Sequence, residues 1–368
     1  MATAHPRQGG VDMEKIVEKE AWTEGPILDD TLGKKIELPA PLVAGPEVDA
    51  LPDFPGYIAL EVTNACNFEC THCNYRHGLA HYTRPRGFMN PDTAEKALKE
   101  AAAHGADVLM NYDGEPLMNK RHMEYLRLAQ SLGVKSYFNT NGSLFNHKYA
   151  DELVTFYKGS VFFSVDGSKE WFEKIRLGGK YEQVVSNIEY FMKVNEEAGR
   201  PMTIGISLCN LGQSAEERQA FLDRWLPLAH YVSMGEVNDK FGTMISSPMT
   251  KMKVAKRPIC WVPWSTLGVC HNGDVIPCSI YITRANTANA IFGNIHEASL
   301  KEIWHGDAFW KFRKMVAEER YKDSYCDKCD RWRSQFTFPD VTKDGVKITR
   351  NGFWTTFHNM RKGKLNFR

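Results

Sequence analysis

Short apolar runs alternate with amphipathic stretches between residue 57 and about residue 240. The apolar runs are rich in Val, Ile, Phe and Tyr, which is typical of buried parallel strands, and they cover residues 57–62, 107–111, 134–138, 160–165, 202–208 and 231–237. The stretches between them predict helices over about 91–103, 120–132, 146–157, 181–198 and 214–228. Six such βαβ units without a dinucleotide-binding glycine motif favour an α/β fold, a partial (β/α)6 barrel of TIM type.

The pattern changes after about residue 245. Residues 265–278 predict a hairpin with Asn272-Gly273 at its turn, and residues 299–319 predict one helix. These features indicate a small α+β domain after the barrel. The predicted division is therefore an extended, Pro-rich N-terminal arm (1–56), the barrel (57–245), the small domain (246–340) and a basic C-terminal tail (341–368).

The net charge of the chain gives no indication of a charged partner, but the two ends of the chain carry opposite charges. The 368 residues carry 46 Lys and Arg against 45 Asp and Glu, and no stretch approaches the ~20 apolar residues of a membrane span, so we expect neither nucleic acid nor a membrane as partner. Residues 1–56 hold 5 basic and 11 acidic side chains, and residues 341–368 hold 7 basic and 1 acidic. One interpretation is that both ends are solvated segments. The alternative is that the basic tail covers the core or contacts an anionic substrate.

Nine cysteines are the unusual feature of the composition. The chain opens without the apolar core of a secretory signal, so a cytoplasmic location is expected, where clustered cysteines act as metal ligands or reactive thiols. Cys66, Cys70 and Cys73 form a C-x3-C-x2-C motif directly after the first predicted strand. Three thiolates can bind three irons of a [4Fe–4S] cluster and leave the fourth iron open. A zinc site completed by His72 or His77, or three unrelated thiols, remain alternatives.

This motif, followed by Gly114-Glu115-Pro116 and by Ser164-Val165-Asp166-Gly167 at later strand ends, resembles the radical S-adenosylmethionine (SAM) superfamily. The resemblance implies that Cys66, Cys70 and Cys73 hold a [4Fe–4S] cluster that binds SAM. Reductive cleavage would give a 5′-deoxyadenosyl radical that abstracts hydrogen from substrate, with an external one-electron reductant of flavodoxin or ferredoxin type. The residues expected at SAM are His72 near the adenine, Glu115 with Gly114 and Pro116 at the ammonium, Arg176 at the carboxylate, and Asn141, Ser164 and Asp166.

A second group consists of Cys260, Cys278, Cys326 and Cys329. Four thiolates suit either a structural zinc or a fully ligated [4Fe–4S] cluster, and spacing alone does not separate the two. The region resembles the SPASM/twitch extensions of radical SAM enzymes. No cysteine follows Cys329, which points to the shorter twitch form with one auxiliary [4Fe–4S] cluster. Such a cluster either accepts an electron during the reaction or only stabilises the domain.

Cys209 and Cys270 remain outside both groups. Each is either a small buried apolar residue or a catalytic thiol that returns a hydrogen atom to a substrate radical, as in an epimerase, and Cys270 is also a possible replacement ligand of the second group. The leading hypothesis is a radical SAM oxidoreductase that oxidises or epimerises a small polar molecule such as a sugar, aminocyclitol or nucleotide sugar. The alternatives are an enzyme that matures a ribosomally made peptide and a non-catalytic metal scaffold.

Overall fold

The computed structural model describes residues 51–73, 84–236, 257–278, 290–327, 329, 331–335, 337–351 and 354–362. The strands are β1 (Tyr57–Leu60), β2 (Asp107–Leu109), β3 (Ser136–Thr140), β4 (Ser160–Ser164), β5 (Thr203–Asn210), β6 (Tyr231–Glu236), β7 (Thr266–Val269), β8 (Asp274–Ile276), β9 (Gly293–Asn294), β10 (Thr337–Lys343), β11 (Val346–Asn351) and β12 (Trp354–Asn359). The helices are α1 (Pro91–His104), α2 (His122–Ser131), α3 (His147–Leu153), α4 (Lys169–Ile175), α5 (Tyr181–Glu197), α6 (Ala215–Trp225), α7 (Leu300–His305) and α8 (Asp307–Ala317).

Strands β1 to β6 form the parallel centre of the sheet, each paired with the next in chain order. Helices connect these strands, as the sequence predicted for a partial barrel. One face of the strands carries fully buried side chains such as Ile58, Val108 and Val161, which belong to the same apolar core as Leu98 of α1 and Ile188 of α5. The carboxyl ends of all six strands therefore meet at one edge, where active sites of such sheets lie.

Most of the helices begin at side-chain caps that the sequence carries. The side chains of Asn90, Asn146, Ser168 and Ser214 each accept a hydrogen bond from a backbone N–H of the first turn. Pro91 follows its cap at the first helical position, where its missing N–H costs nothing. These caps fix where the chain leaves each strand-end loop, and so where the loops that carry candidate site residues end.

The small domain continues the same sheet at the β1 edge. Strand β7 pairs in parallel with β1, with Leu60 opposite Val269, and β8 and β9 add antiparallel strands. The predicted hairpin is present, and Gly273 at its turn has φ +89°, in the left-handed region that favours glycine. The end of the N-terminal arm contacts this domain: Trp304 Nε1 donates to the Pro52 carbonyl at 3.0 Å. The rest of the arm, residues 1–50, lies outside the described residues.

The basic C-terminal segment differs from the predicted tail. Strands β10, β11 and β12 form an antiparallel extension at the β6 edge, and the boundary predicted at residue 341 falls inside β10. Val346, Ile348 and Phe357 alternate with polar residues and are buried in the main core. The high density of Lys and Arg obscured this alternation, which is the signal of a strand with one buried face.

The helix predicted over 299–319 is two helices separated by Gly306. This glycine has extended backbone (φ −72°, ψ 165°), so the chain turns between α7 and α8. Trp304 and Phe309 then pack against each other across the turn, with ring centroids 5.2 Å apart. No helix within the described ranges is long and apolar enough to cross a membrane.

Candidate active site and auxiliary cysteine site

Cys66, Cys70 and Cys73 lie on the loop that follows β1, as the motif predicted. The backbone of this loop is held against the end of α4, because the N–H of Glu69 donates to the Leu177 carbonyl at 2.9 Å and that of Thr71 donates to the Ile175 carbonyl at 2.8 Å. The three thiols are thus presented by a short segment with a fixed backbone, on the edge where strands β1 to β6 end.

Burial makes the Cys66 and Cys70 thiols prefer the neutral form. It raises the pKa of Cys66 to about 12 and raises that of Cys70 as well. Iron binding would therefore release protons from this loop. Within the described part of the chain, no three His, Cys, Asp or Glu side chains converge closely enough to hold a single metal ion. A cluster places each cysteine sulfur on a different iron, which does not require such convergence.

Gly114 packs directly on the backbone of the cysteine loop. Its φ is +70°, and a Cβ at this position would lie 2.6 Å from the Ala65 carbonyl oxygen and 2.7 Å from that of Thr63. The N–H of Glu115 donates to the same Ala65 carbonyl at 2.8 Å. Only glycine fits this close approach, so the Gly114-Glu115-Pro116 segment and the cysteine loop form one cradle.

The Glu115 side chain links two strand ends. Its carboxylate accepts hydrogen bonds from Thr140 Oγ1 at 2.8 Å and from the Asn141 N–H at 2.7 Å. Burial raises the pKa of Glu115 to about 7, although these bonds act in the opposite direction. Asn141 in turn donates to Asn67 Oδ1, beside Cys66, at 2.9 Å. The carboxylate expected at the SAM ammonium thus also braces the loop after β3 against the cysteine loop.

Asp166 and Arg176 form a buried ion pair beside the cysteine loop. Arg176 Nη2 lies 2.6 Å and Nε 2.8 Å from Asp166 Oδ2, and the other carboxylate oxygen accepts the Cys209 N–H at 2.7 Å. Burial alone would lower the pKa of Arg176, but the carboxylate of Asp166 outweighs it and the pKa is raised. The guanidinium expected at the SAM carboxylate is therefore oriented by Asp166, at the end of β4.

His72 completes this polar group. Its Nε2 lies 3.4 Å from Asp166 Oδ2, and its Nδ1 is buried without a hydrogen-bond partner among the described residues. Burial lowers the pKa of His72, although the neighbouring carboxylate of Asp166 acts in the opposite direction. A buried polar atom without a partner costs free energy, which indicates that this position completes its contacts with a bound group. Ser164, at the end of β4, is half-buried and lies 3.5 Å from Ser207 through their Oγ atoms.

The four cysteines of the second group line a single cavity. Its empty space is about 370 Å³, part of it open to solvent. The remaining lining residues are the apolar Val262, Pro263, Phe312 and Val316 and the cationic Arg257 and Arg331. Burial raises the pKa of Cys260 to about 11 and that of Cys326 to about 12. Four thiols around one mostly apolar space would supply a full set of ligands for an iron–sulfur cluster.

Cys209 and Cys270 occupy different environments. Cys209 is half-buried near the end of β5, next to the Asp166–Arg176 pair. Cys270 is completely buried, packs in the cluster that contains Trp264 and Phe312, and is not among the residues that line the four-cysteine cavity. Of the two tryptophans beside the second group, Trp264 is buried whereas Trp261 is 40% exposed.

The family comparisons agree with this geometry. The model of the Radical SAM superfamily matches residues 60–224, and that of SPASM, an iron–sulfur cluster-binding domain, matches residues 260–330. The chain is a member of the radical SAM superfamily with a C-terminal SPASM domain. Its cofactors are accordingly SAM and iron–sulfur clusters, and an enzyme of this superfamily needs both a reductant and a substrate.

Curated relatives of this radical SAM chain differ in what they do. A tungsten-containing aldehyde ferredoxin oxidoreductase cofactor-modifying protein of Pyrococcus furiosus is 25% identical over 74% of this chain and 88% of its own length. An AdoMet-dependent heme synthase of Methanosarcina barkeri is 28% identical, but the match spans only 40% of this chain and 42% of that protein. The S-adenosyl-L-methionine-dependent 2-deoxy-scyllo-inosamine dehydrogenase of Niallia circulans is 36% identical over 19% of this chain and 27% of its own length.

Solved structures share the fold of this radical SAM chain. BtrN in complex with AdoMet and 2-DOIA aligns with a TM-score of 0.51 at 18% identity, over 77% of this chain and 95% of BtrN. SuiB of Streptococcus suis bound to S-adenosylmethionine aligns with a TM-score of 0.57 at 16% identity, over 76% of this chain and 71% of SuiB. The AdoMet-bound anSMEcpe gives a TM-score of 0.58 at 16% identity, over 76% and 90% of the two chains. At these identities the likeness establishes the fold.

One polar network that was not predicted from the sequence joins the radical SAM core to the SPASM domain. Glu61, fully buried after β1, binds Arg84 through both carboxylate oxygens and accepts hydrogen bonds from His271 at its N–H (3.1 Å) and Nδ1 (3.0 Å). Burial acts to raise the pKa of Glu61, but the bonds from Arg84 and His271 outweigh it and the pKa is lowered. The available signal was a charged residue closing an apolar strand, which is rarely buried unless it is paired.

Proposed function

We propose that the chain is a radical SAM dehydrogenase that oxidises a small polyhydroxylated molecule, such as a sugar or aminocyclitol, at a carbinol carbon. When bound at Cys66, Cys70 and Cys73, the cluster and SAM supply a radical that removes one hydrogen atom from the substrate. Formation of a carbonyl then requires loss of one proton and one electron. A dehydrogenase consequently needs an electron acceptor near the substrate.

The observation that carries this proposal is the four-cysteine cavity and its place in the sheet. Strand β7 lies directly beside β1, and Leu60, shortly before the cysteine loop, is opposite Val269. Cys278 follows β8, the next strand outward. Both cysteine sites are therefore attached to one continuous sheet, with β7 between β1 and β8. Cys260, Cys278, Cys326 and Cys329 would hold the group that takes the second electron.

A row of hydroxyl groups supports a polyhydroxylated substrate. Ser164, Ser207, Ser233 and Thr356 lie opposite one another on β4, β5, β6 and β12, on the strand face opposite the buried Phe163 and Ile206. All four hydroxyl-bearing residues are half-buried, and Ser233 Oγ lies 2.9 Å from Thr356 Oγ1. Hydroxyl groups donate and accept hydrogen bonds, so such a row can exchange its internal contacts for those of a sugar ring.

The surroundings of the two remaining cysteines leave only one of them as a candidate hydrogen donor to a substrate radical. A hydrogen-donating thiol must reach the substrate, and Cys270 is completely buried in the apolar cluster. Cys209 shares the strand face of Ser207 and is half-buried, so any donor role falls to this residue. The 2-deoxy-scyllo-inosamine dehydrogenase of Niallia circulans, although matched over a short segment, adds support for an aminocyclitol or related polyol.

Peptide maturation is the second candidate function. It is favoured by the likeness to SuiB bound to the precursor peptide SuiA, which aligns over 76% of this chain with a TM-score of 0.56, and to anSMEcpe with the Kp18Cys peptide, with a TM-score of 0.55. On this alternative the same radical chemistry acts on a side chain or α-carbon of a bound peptide. The hydroxyl row would then contact peptide groups instead of a ring.

Product analysis in D2O with the full-length, anaerobically reconstituted enzyme tests the proposal. We expect turnover of an aminocyclitol or sugar to give a product lighter by two hydrogens, without solvent deuterium at carbon. An isomer of the substrate that carries one solvent deuterium at carbon would instead establish an epimerase. In that case deuterium incorporation should be abolished in Cys209→Ala and retained in Cys270→Ala. Turnover of peptides alone, with no polyol oxidised, would favour the second candidate.

A further inference from the structure

Arg257 lies at the rim of the four-cysteine cavity and is fixed there by two contacts. Its Nη1 donates to the carbonyl oxygen of Cys326 at 2.7 Å. The guanidinium carbon stands 3.9 Å above the centroid of the Tyr321 ring, a cation–π arrangement. These contacts hold the positive charge beside the cysteines, whereas an unanchored arginine side chain would sample many conformations in solvent.

The same guanidinium has an unsatisfied donor. Arg257 Nε is buried and has no hydrogen-bond partner within the described residues, nor does any carboxylate there pair with this arginine. A buried donor without an acceptor is costly, so its presence at the cavity indicates an acceptor that occupies the cavity itself. Thiolate and sulfide sulfurs of a cluster bound by the four cysteines would be such acceptors.

We propose that Arg257 raises the reduction potential of the auxiliary cluster. Four thiolates around an iron–sulfur cube give the site a net negative charge, and reduction adds one more. A fixed cation and an N–H donor stabilise the reduced form more than the oxidised form, because the reduced form carries the larger charge. Arg331 lies in the same lining, and its backbone N–H donates to Cys329 Sγ at 3.4 Å, which acts in the same direction.

The raised potential suits a cluster that accepts electrons. A carbon radical next to a hydroxyl oxygen is a strong reductant, and a more positive acceptor makes electron transfer from it more favourable. This consequence rests on the proposed dehydrogenase function, whereas the effect of Arg257 on the potential does not. The two are therefore measured by separate experiments, one on potential and one on product.

Redox titration followed by EPR in the full-length Cys66→Ala background, which leaves the auxiliary cluster to be observed, tests the inference. We expect Arg257→Gln to lower the equilibrium constant for one-electron reduction about tenfold, which corresponds to a potential about 59 mV more negative. Arg257→Lys, which retains the charge, should shift it by less than half as much. Arg320→Gln removes an exposed cation of the same domain, paired with Glu318, and should leave the potential unchanged.

An unchanged potential in Arg257→Gln with full auxiliary iron content would overturn the inference. So would an equal shift in Arg320→Gln, because the effect would then be a general one of net charge. If Arg257→Gln loses its iron, Arg257→Lys decides: a shift as large as that expected of the glutamine variant contradicts a role for the charge. If the unaltered enzyme oxidises no polyol but Arg257→Gln still shows the expected shift in potential, only the proposed function is refuted.

Discussion

The cysteines predicted to hold the SAM-binding cluster lie within residues 66–73 of one loop, whereas those predicted to hold the auxiliary cluster come from separate segments between residues 260 and 329. The first site is surrounded by charged and amide side chains. Asp166 orients Arg176 there, and hydrogen bonds from Thr140 and Asn141 orient Glu115. The second is lined mostly by apolar side chains and by arginines. Cysteine is thus placed in two different environments, one polar and one mostly apolar.

Ligand count explains the different surroundings. Three thiols leave one iron of a cube open, so the SAM site needs polar groups to orient an incoming charged molecule. Four thiols complete the auxiliary cluster, so its surroundings need only exclude water and set the potential. The comparison predicts that changes at the first site affect SAM binding and cleavage, and that changes at the second affect iron content and electron transfer.

The largest effect is expected from removal of one cysteine at each site. Cys66→Ala should reduce SAM cleavage to the background rate and leave about four irons per chain of the about eight expected for two cubes. Cys326→Ala should also leave about four irons but retain reductive SAM cleavage without product formation. Iron analysis and 5′-deoxyadenosine assays measure both. Zinc in place of the auxiliary iron, or loss of SAM cleavage in Cys326→Ala, would break the assignment of separate roles.

Asp166→Asn should have the next largest effect, because it leaves the buried guanidinium of Arg176 without its counter-charge. Breaking a buried ion pair costs about 3–5 kcal/mol, to be read from anaerobic urea unfolding. Asn accepts the left-handed backbone of this position (φ +62°), so the loss is electrostatic. SAM affinity should fall in parallel. Asp92→Asn, which loses ion pairs at the surface with Lys96 and His296, is the control and should change stability little.

Gly114→Ala should have a smaller effect, confined to the cradle. Its matched control is Gly105→Ala, which has the same φ of +70° but nothing within 4 Å of its Cβ position. Both alanines carry the left-handed backbone penalty of about 1–2 kcal/mol. Only Gly114→Ala should also displace the cysteine loop, lower iron retention at the SAM site and weaken SAM binding. Equal iron content and SAM affinity in the two variants would contradict the close-approach argument.

Local signals were sufficient for much of the fold and for the strand ends and loops on which the residues predicted to bind SAM lie. The strand and helix alternation predicted β1 to β6 and five of the helices between them, and each predicted SAM-site residue lies at the expected strand end or loop. The short helix α4, the break at Gly306 and strands β10 to β12 were missed. In the last case, charge composition hid a period-two pattern whose buried side chains are visible only once the partner strand β6 is known.

The sequence by itself determined the composition of both cysteine sets, because thiol number and spacing are properties of the chain. Only the tertiary structure decided which other side chains serve them. The hydrogen bond from the Cys209 N–H to Asp166, the burial of Glu61 between Arg84 and His271, and the approach of Arg257 to Cys326 all join segments that lie far apart in the sequence. Such contacts depend on which strand ends and domain edges meet, and the folding of one continuous sheet fixes that.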